Sequence, residues 1–179
     1  MQVIVRFYQA EWLAQLPEHV GWQLLFRGSE TPVANPVLAV ITESKRFPLV
    51  WYSIAAQLPT WRALLPETHD PREVAWWKTD AWLLKTAMCN TGDTVSIREL
   101  MLAREWLQTQ LSVWRRPSQW VAQRRFESVP VLTPAGPRHV CIGVYTVDGR
   151  AAGAYARLAA KPLVDFTAVD VALLIEEDD

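Results

Sequence analysis

The sequence predicts a mixed α/β chain of the α+β kind, and three observations carry that expectation. Short apolar runs with two-residue alternation recur along the chain, and segments with three- and four-residue apolar spacing lie between them. Asp148-Gly149 stands between two long strand-like runs, a strong signal for a two-residue hairpin turn. Half of the 179 residues are hydrophobic, enough for one sizeable core or two small lobes.

Taken in order, residues 3–7 read as a short strand and 10–16 as one or two helical turns stopped before Pro17. Residues 22–26 read as a second strand. Residues 28–36 carry loop chemistry, with Gly28, Pro32 and Pro36. Residues 37–41 read as an apolar strand. Residues 43–58 predict a helix, because Phe47, Val50, Trp51, Ile54 and Leu58 recur at helical spacing and Pro48 falls near the first turn. Residues 59–70 are irregular. Asp70-Pro71-Arg72-Glu73 predicts a helix start, with a capping aspartate, a proline at the first position and a glutamate at the third.

Strands at 82–85 and 94–97 flank a small polar loop. Residues 100–114 predict a helix with Leu100, Ala103, Leu107, Leu111 and Trp114 on its apolar face, ended by Arg115-Arg116-Pro117. Residues 120–126 read as a strand and 129–137 as a loop with three prolines. Residues 138–147 and 150–158 form the hairpin, and 169–175 a last strand. The acidic end, 176–179, reads as a frayed tail. No internal repeat, low-complexity segment or linker divides the chain.

Composition excludes several functions. A net charge of −1 argues against bulk electrostatic binding to nucleic acid. The tryptophans and the pairs Arg115-Arg116 and Arg124-Arg125 would suit single strands, but the neutral charge opposes that reading. The ten tryptophans are spread along the chain, which suits packing at many points. Two cysteines without a CxxC make no disulfide framework, so a cytoplasmic location is expected. The N-terminus has no long apolar core of a signal peptide, and no apolar run reaches the length of a membrane span.

Polar chemistry falls in four places. Lys85 ends an apolar strand, and a buried ammonium is costly without a partner. The loop after it, with Asn90, Thr91 and Gly92, can turn sharply and offer backbone N–H groups to an anion. The pair fits a phosphate clamp; it also fits a hairpin whose lysine reaches water along its alkyl stem. Ser44-Lys45-Arg46 lies at a strand-to-helix junction, which favours an anion or is a surface basic pair. Alternation sends Gln123 and Arg125 to one face of their strand and Arg124 to the other, as a binding strand or a polar edge. Arg157 follows the small residues 151–154, which allow close approach of a ligand or tight sheet packing. The three histidines are scattered, so a structural zinc site is not expected. Cys89 has no histidine near it in sequence and reads as a small loop residue before a nucleophile. No GxSxG, HExxH, GxGxxG or Walker A motif occurs.

Three longer stretches resemble the C-terminal half of the glutathionylspermidine synthase family. They are Arg6-Phe7-Tyr8-Gln9-Ala10-Glu11-Trp12-Leu13; residues 31–36 with Glu43-Ser44-Lys45-Arg46-Phe47-Pro48-Leu49-Val50-Trp51; and Ile142-Gly143-Val144-Tyr145-Thr146-Val147-Asp148-Gly149-Arg150 with its continuation to Arg157. The resemblance implies a circularly permuted ATP-grasp fold that joins a carboxylate to an amine with ATP and magnesium. It implies that Lys45 and Lys85 are the two nucleotide lysines and that residues 90–92 belong to the loop over the phosphates. Gln123 would lie on the strand leading to the adenine-contacting hinge, and Arg157 would be the catalytic arginine closing the site near the phosphates.

Two departures accompany the resemblance. The loop after Lys85 lacks the family's proline and arginine-glycine pair. The family's metal-binding segment lies upstream of everything matched here. The expectation is therefore a partial ATP-grasp domain over 1–179 with no metal ligands of its own, inactive as this chain alone. ATP, a small carboxylate and a small amine would be its ligands, with a missing N-terminal half or a partner chain docking on an exposed apolar face. The alternative is a truncated or degenerate relative that binds nucleotide or protein without catalysis.

Overall fold

The computed structural model describes residues 3–6, 8–13, 15–28, 30–89, 92 and 94–174. The N-terminal part is built from short elements. Strand β1 (Ile4–Val5) pairs in parallel with β2 (Val33–Ala34), with helix α1 (Ala10–Leu13) between them in sequence. Helix α2 (Val40–Glu43) follows a 3-10 turn, Val37–Ala39. Ala10, Leu13 and Val37 form a small core here, joined by Leu16, Trp22 and Val40.

Helix α3 (Pro59–Leu64) leads into the central sheet. Its strands are β3 (Thr68–His69), β4 (Trp82–Thr86), β5 (Val95–Ser96) and, after helix α4 (Ala103–Arg115), β6 (Trp120–Arg124). The order is β3-β6-β4-β5, all antiparallel. Leu84 lies opposite Ala122, both fully buried, and these two pack with Val113 of α4, Trp76 and Trp120. Successive side chains alternate across a sheet. Lys85 and Gln123 therefore face away from the α4 core. That alternation is what delivers two polar residues to a common surface.

A second four-stranded sheet contains β7 (Val131–Thr133), β8 (Gly136–Val147), β9 (Arg150–Ala159) and β10 (Val169–Val171), in order β10-β9-β8-β7. Asp148 and Gly149 turn the β8–β9 hairpin with φ of 50° and 75°, the doubly left-handed pair that the Asp-Gly signal predicts. The mixed α+β class of the sequence reading is present, and both four-stranded sheets are antiparallel. Among the described residues, no helix is long and apolar enough to cross a membrane.

Several local expectations are corrected. Trp22–Phe26 is a 3-10 helix, not a strand: Gly21 at φ 70° starts it, and Leu24 N–H donates to Gly21 O at 3.0 Å. Residues 37–41 are also helical, because Val37 and Val40 turn inward at a spacing of three while Leu38 and Ile41 face water. The helix expected over 43–58 breaks at Ser44, and Phe47–Ser53 is a 3-10 helix. Asp70 does cap a turn, accepting from Arg72 N–H at 3.0 Å, but no helix follows. The Trp76 indole N–H takes the Pro71 carbonyl at 3.1 Å, a group the first helical turn would need. Residues 131–138 form a tight hairpin where a loop is predicted.

Helix α4 lies close to its predicted bounds but docks by another face. Thr109 and Val113 are buried and Trp106 packs on the core, whereas Leu107, Leu111 and Trp114 of the predicted stripe face water. Glu105 starts this helix by accepting from the Leu102 N–H at 3.1 Å.

Candidate functional site

Lys85 is the centre of the site. It sits on β4, diagonal to Gln123 on β6, since Gln123 pairs with Leu83 two positions earlier. Diagonal neighbours on one sheet face lie within reach of long side chains. The Lys85 ammonium donates to Gln123 Oε1 at 2.6 Å. The other end of that amide donates to Thr68 Oγ1 at 2.9 Å, and Thr68 itself donates to the Pro66 carbonyl at 2.9 Å. Thr68 thus fixes which end of the amide meets Lys85. No motif in the sequence marks Thr68; only the β3–β6 register, which places it opposite Gln123, reveals it.

Lys45 arrives from the N-terminal part. Its backbone N–H donates to Ala87 O at 2.8 Å, and Ala87 N–H donates to Gln119 O at 2.8 Å, so the residue is tied to the end of β4. Its ammonium donates to the Cys89 carbonyl. Arg46, its neighbour, is structural: the guanidinium binds Asp70 at 2.7 Å and the Trp120 carbonyl at 2.7 Å. The basic pair of the sequence therefore divides into one anchoring residue, Arg46, and one, Lys45, that lines a cavity.

Burial lowers the pKa of both lysines. For Lys85 the nearby Lys45 charge lowers it further; for Lys45 the neighbouring Cys89 and Glu11 oppose the fall. Bringing two ammoniums together inside a half-buried site is unfavourable without an anion.

Two cavities meet at Lys85 and Phe126. One, about 870 Å3, also holds Lys45, Gln123, Trp51 and Trp61. The other, about 490 Å3, lies between the two four-stranded sheets and is lined by Gly92, Arg125–Ser128, Cys141 and Val164. Gly92, at φ 76°, presses on the second sheet's connecting segment: a Cβ there would lie 2.5 Å from the Val164 carbonyl oxygen. Asn90 and Thr91, expected in the phosphate loop, lie outside the described residues.

Arg157 stands opposite Cys141 in the β8–β9 register, so it shares the sheet face that lines the smaller cavity. Its guanidinium is engaged elsewhere, donating to Asp165 O at 2.9 Å and pairing with Asp170 at 3.3 Å. The structure thus brings Lys45, Lys85 and Gln123 together and sets Gly92 beside Lys85. Among the described residues lining the two cavities, Arg157 is not found. Arg124 and Arg125 are held in ion pairs: Arg124 binds Glu67 at 2.9 Å and stacks 4.2 Å over Trp82, and Arg125, at the edge of the smaller cavity, pairs with Glu99.

Among the described residues no group of three or more His, Cys, Asp or Glu side chains could hold a metal ion. Compared with known proteins, the chain matches no family model and no curated protein.

Proposed function

We propose that this chain is the nucleotide-binding portion of an ATP-dependent carboxylate–amine ligase, similar to the glutathionylspermidine synthase family and built on a partial ATP-grasp domain. The observation that carries the reading is the convergence of Lys45 and Lys85. Each is disfavoured by burial, and the Lys85 charge also by that of Lys45, and both line one open cleft. An anion of high charge density relieves that disfavoured state, and a triphosphate is such an anion.

In this reading the phosphates lie over Lys45 and Lys85, and the base reaches the smaller cavity against Phe126–Ser128. A carboxylate oxygen attacks the γ-phosphorus while the bond to ADP breaks, and ADP leaves with the electron pair. The amine nitrogen then attacks the acyl-phosphate carbon, phosphate departs, and the nitrogen loses its proton to water. The lysines neutralise charge on the moving phosphoryl group. Within the described residues, Lys45 and Lys85 are the cations of this cleft that face the phosphates in this reading.

A second reading, a non-catalytic relative that binds a protein, is favoured by the outward apolar stripe of Leu107, Leu111 and Trp114 on α4. Calorimetric titration of ATP into the whole chain tests the first. Saturable binding is expected, weakened about ten- to a hundredfold by Lys85→Ala, the usual range for a hydrogen bond to a charged group. No saturable heat at millimolar ATP defeats the nucleotide reading, and equal affinity in the variant defeats the role of Lys85.

A further inference from the structure

The larger cavity has two unlike ends. Lys45, Lys85 and Gln123 form one end. The other is aromatic: Phe47 and Trp61 have ring centroids 5.8 Å apart, Trp51 and Trp61 5.8 Å, and Phe47 and Trp51 6.4 Å. Pro48, Leu64 and Leu65 complete the wall. The nucleotide as placed above uses the cationic end and leaves the aromatic end unfilled.

We infer that the aromatic end is the subsite for the body of the carboxylate substrate, and that this substrate is an aryl or similarly flat apolar acid whose carboxylate faces Lys45 and Lys85. The volume, about 870 Å3, lies in the range of small-molecule sites, and an apolar wall with a few polar groups at one end is their usual composition. Trp61 and Leu64 are held at the rim, 45% and 75% exposed, where a ligand ring would remove them from water. Trp51 is only 7% exposed, and among the described residues its indole N–H has no hydrogen-bond partner. This ring lines the cleft and adds an aromatic surface against which a flat ligand packs. Glu43, the acidic residue on this wall, is paired with Arg6 at 3.6 Å.

That the acid is a substrate rests on the ligase reading; that the cleft selects a flat acid does not. The test titrates 3-phenylpropionate and propionate into the whole chain and into Trp61→Ala, with ATP titrated into both proteins. The wild type is expected to bind 3-phenylpropionate at least about tenfold more tightly than propionate, the gain of burying one ring. Trp61→Ala should erase that preference and leave ATP affinity within about twofold. Trp61→Leu, which keeps apolar volume without the ring, replaces it if circular dichroism shows the alanine variant unfolded. Equal affinity of the wild type for the two acids overturns the inference. So does a parallel loss of ATP affinity in the Trp61 variant, which would make the cleft the base pocket. Absence of ATP binding to the wild type would defeat the ligase reading alone, and the preference between the two acids would still decide the subsite.

Discussion

Asp70→Ala is expected to destabilise the chain by about 3 kcal/mol and to loosen Lys45. Asp70 is 5% exposed, and its carboxylate accepts from Arg46 Nη2 at 2.7 Å, from Arg72 Nε and Nη2 at 2.8 and 2.9 Å, and from Arg72 N–H at 3.0 Å. The Arg72 side chain is 66% exposed, so water replaces Asp70 there and the guanidinium pair counts for little. The Arg46 side chain is largely withdrawn from water. Its charge-assisted bond contributes about 1.5–3 kcal/mol, and the Arg72 N–H about 1 kcal/mol. For a chain of this size the midpoint should fall by roughly 6–12 °C. Urea and thermal unfolding followed by circular dichroism measure it. The Arg72 hydrogen bonds, with Arg46 adding to them against the effect of burial, hold the Asp70 carboxyl well below the usual carboxylate range. A depressed folded-state pKa means stability that is present above the unfolded value, about 4, and lost as pH falls through the folded one. The wild-type chain should therefore lose stability in acid more steeply than Asp70→Asn. A loss under about 1 kcal/mol in the alanine variant, with unchanged acid dependence in the asparagine variant, would show that water already solvates Arg46 and would refute the reasoning.

Lys85→Met should lose ATP affinity while keeping or raising stability, because burial and Lys45 both disfavour the charge it removes. Since the folded-state pKa of Lys85 is lowered, the unfolded chain holds that proton more tightly. Its contribution to stability therefore rises with pH between the lowered value and the ordinary lysine value of about 10.4, while ATP affinity falls over the same interval. Subtracting the Lys85→Met curves from the wild type isolates both slopes, and a difference of the opposite sign contradicts the assignment. Thr68→Val should cut ATP affinity by about three- to tenfold through release of the Gln123 amide, and Thr68→Ser should restore it; a serine variant as weak as the valine one would place the effect in packing. Gly92→Ala should cost about 1–3 kcal/mol in urea unfolding, since φ is 76° and the new Cβ meets the Val164 carbonyl. An unchanged midpoint would mean that the loop shifts freely away from residue 164.

Legibility in the sequence followed the length of the signal. The β8–β9 hairpin could be read because twelve and ten residues of strand flank an Asp-Gly turn with no competing conformation. Strand β4 and α4 were legible for the same reason, though the docking face of α4 was not. Its sequence carries apolar residues on two stripes, and only the neighbouring Trp76, Leu84 and Trp120 decide which is buried. In the N-terminal third the short strand at Ile4–Val5 and the helical turn at Ala10–Leu13 are legible, but residues 22–26, 37–41 and 43–58 are not, because short apolar runs satisfy either period, and prolines and Gly21 convert them to 3-10 turns.

The site divides along the same physical line. Lys85 and Gln123 were separately legible as polar residues on apolar strands, yet their meeting needed the β4–β6 register, a pairing across 38 residues. Lys45 was legible only in company with Arg46, and tertiary contacts separate the two: Arg46 turns to Asp70, and its anchoring leaves Lys45 over the end of β4. Thr68 and the Phe47, Trp51 and Trp61 cluster carried no signal for a site, because a threonine on a short strand and a tryptophan at helical spacing are ordinary core residues until a cleft is seen beside them. An ammonium on a buried strand is costly wherever it occurs, so it declares itself in one dimension. The groups that orient it, and the apolar wall beside it, are individually favourable and declare themselves only in three.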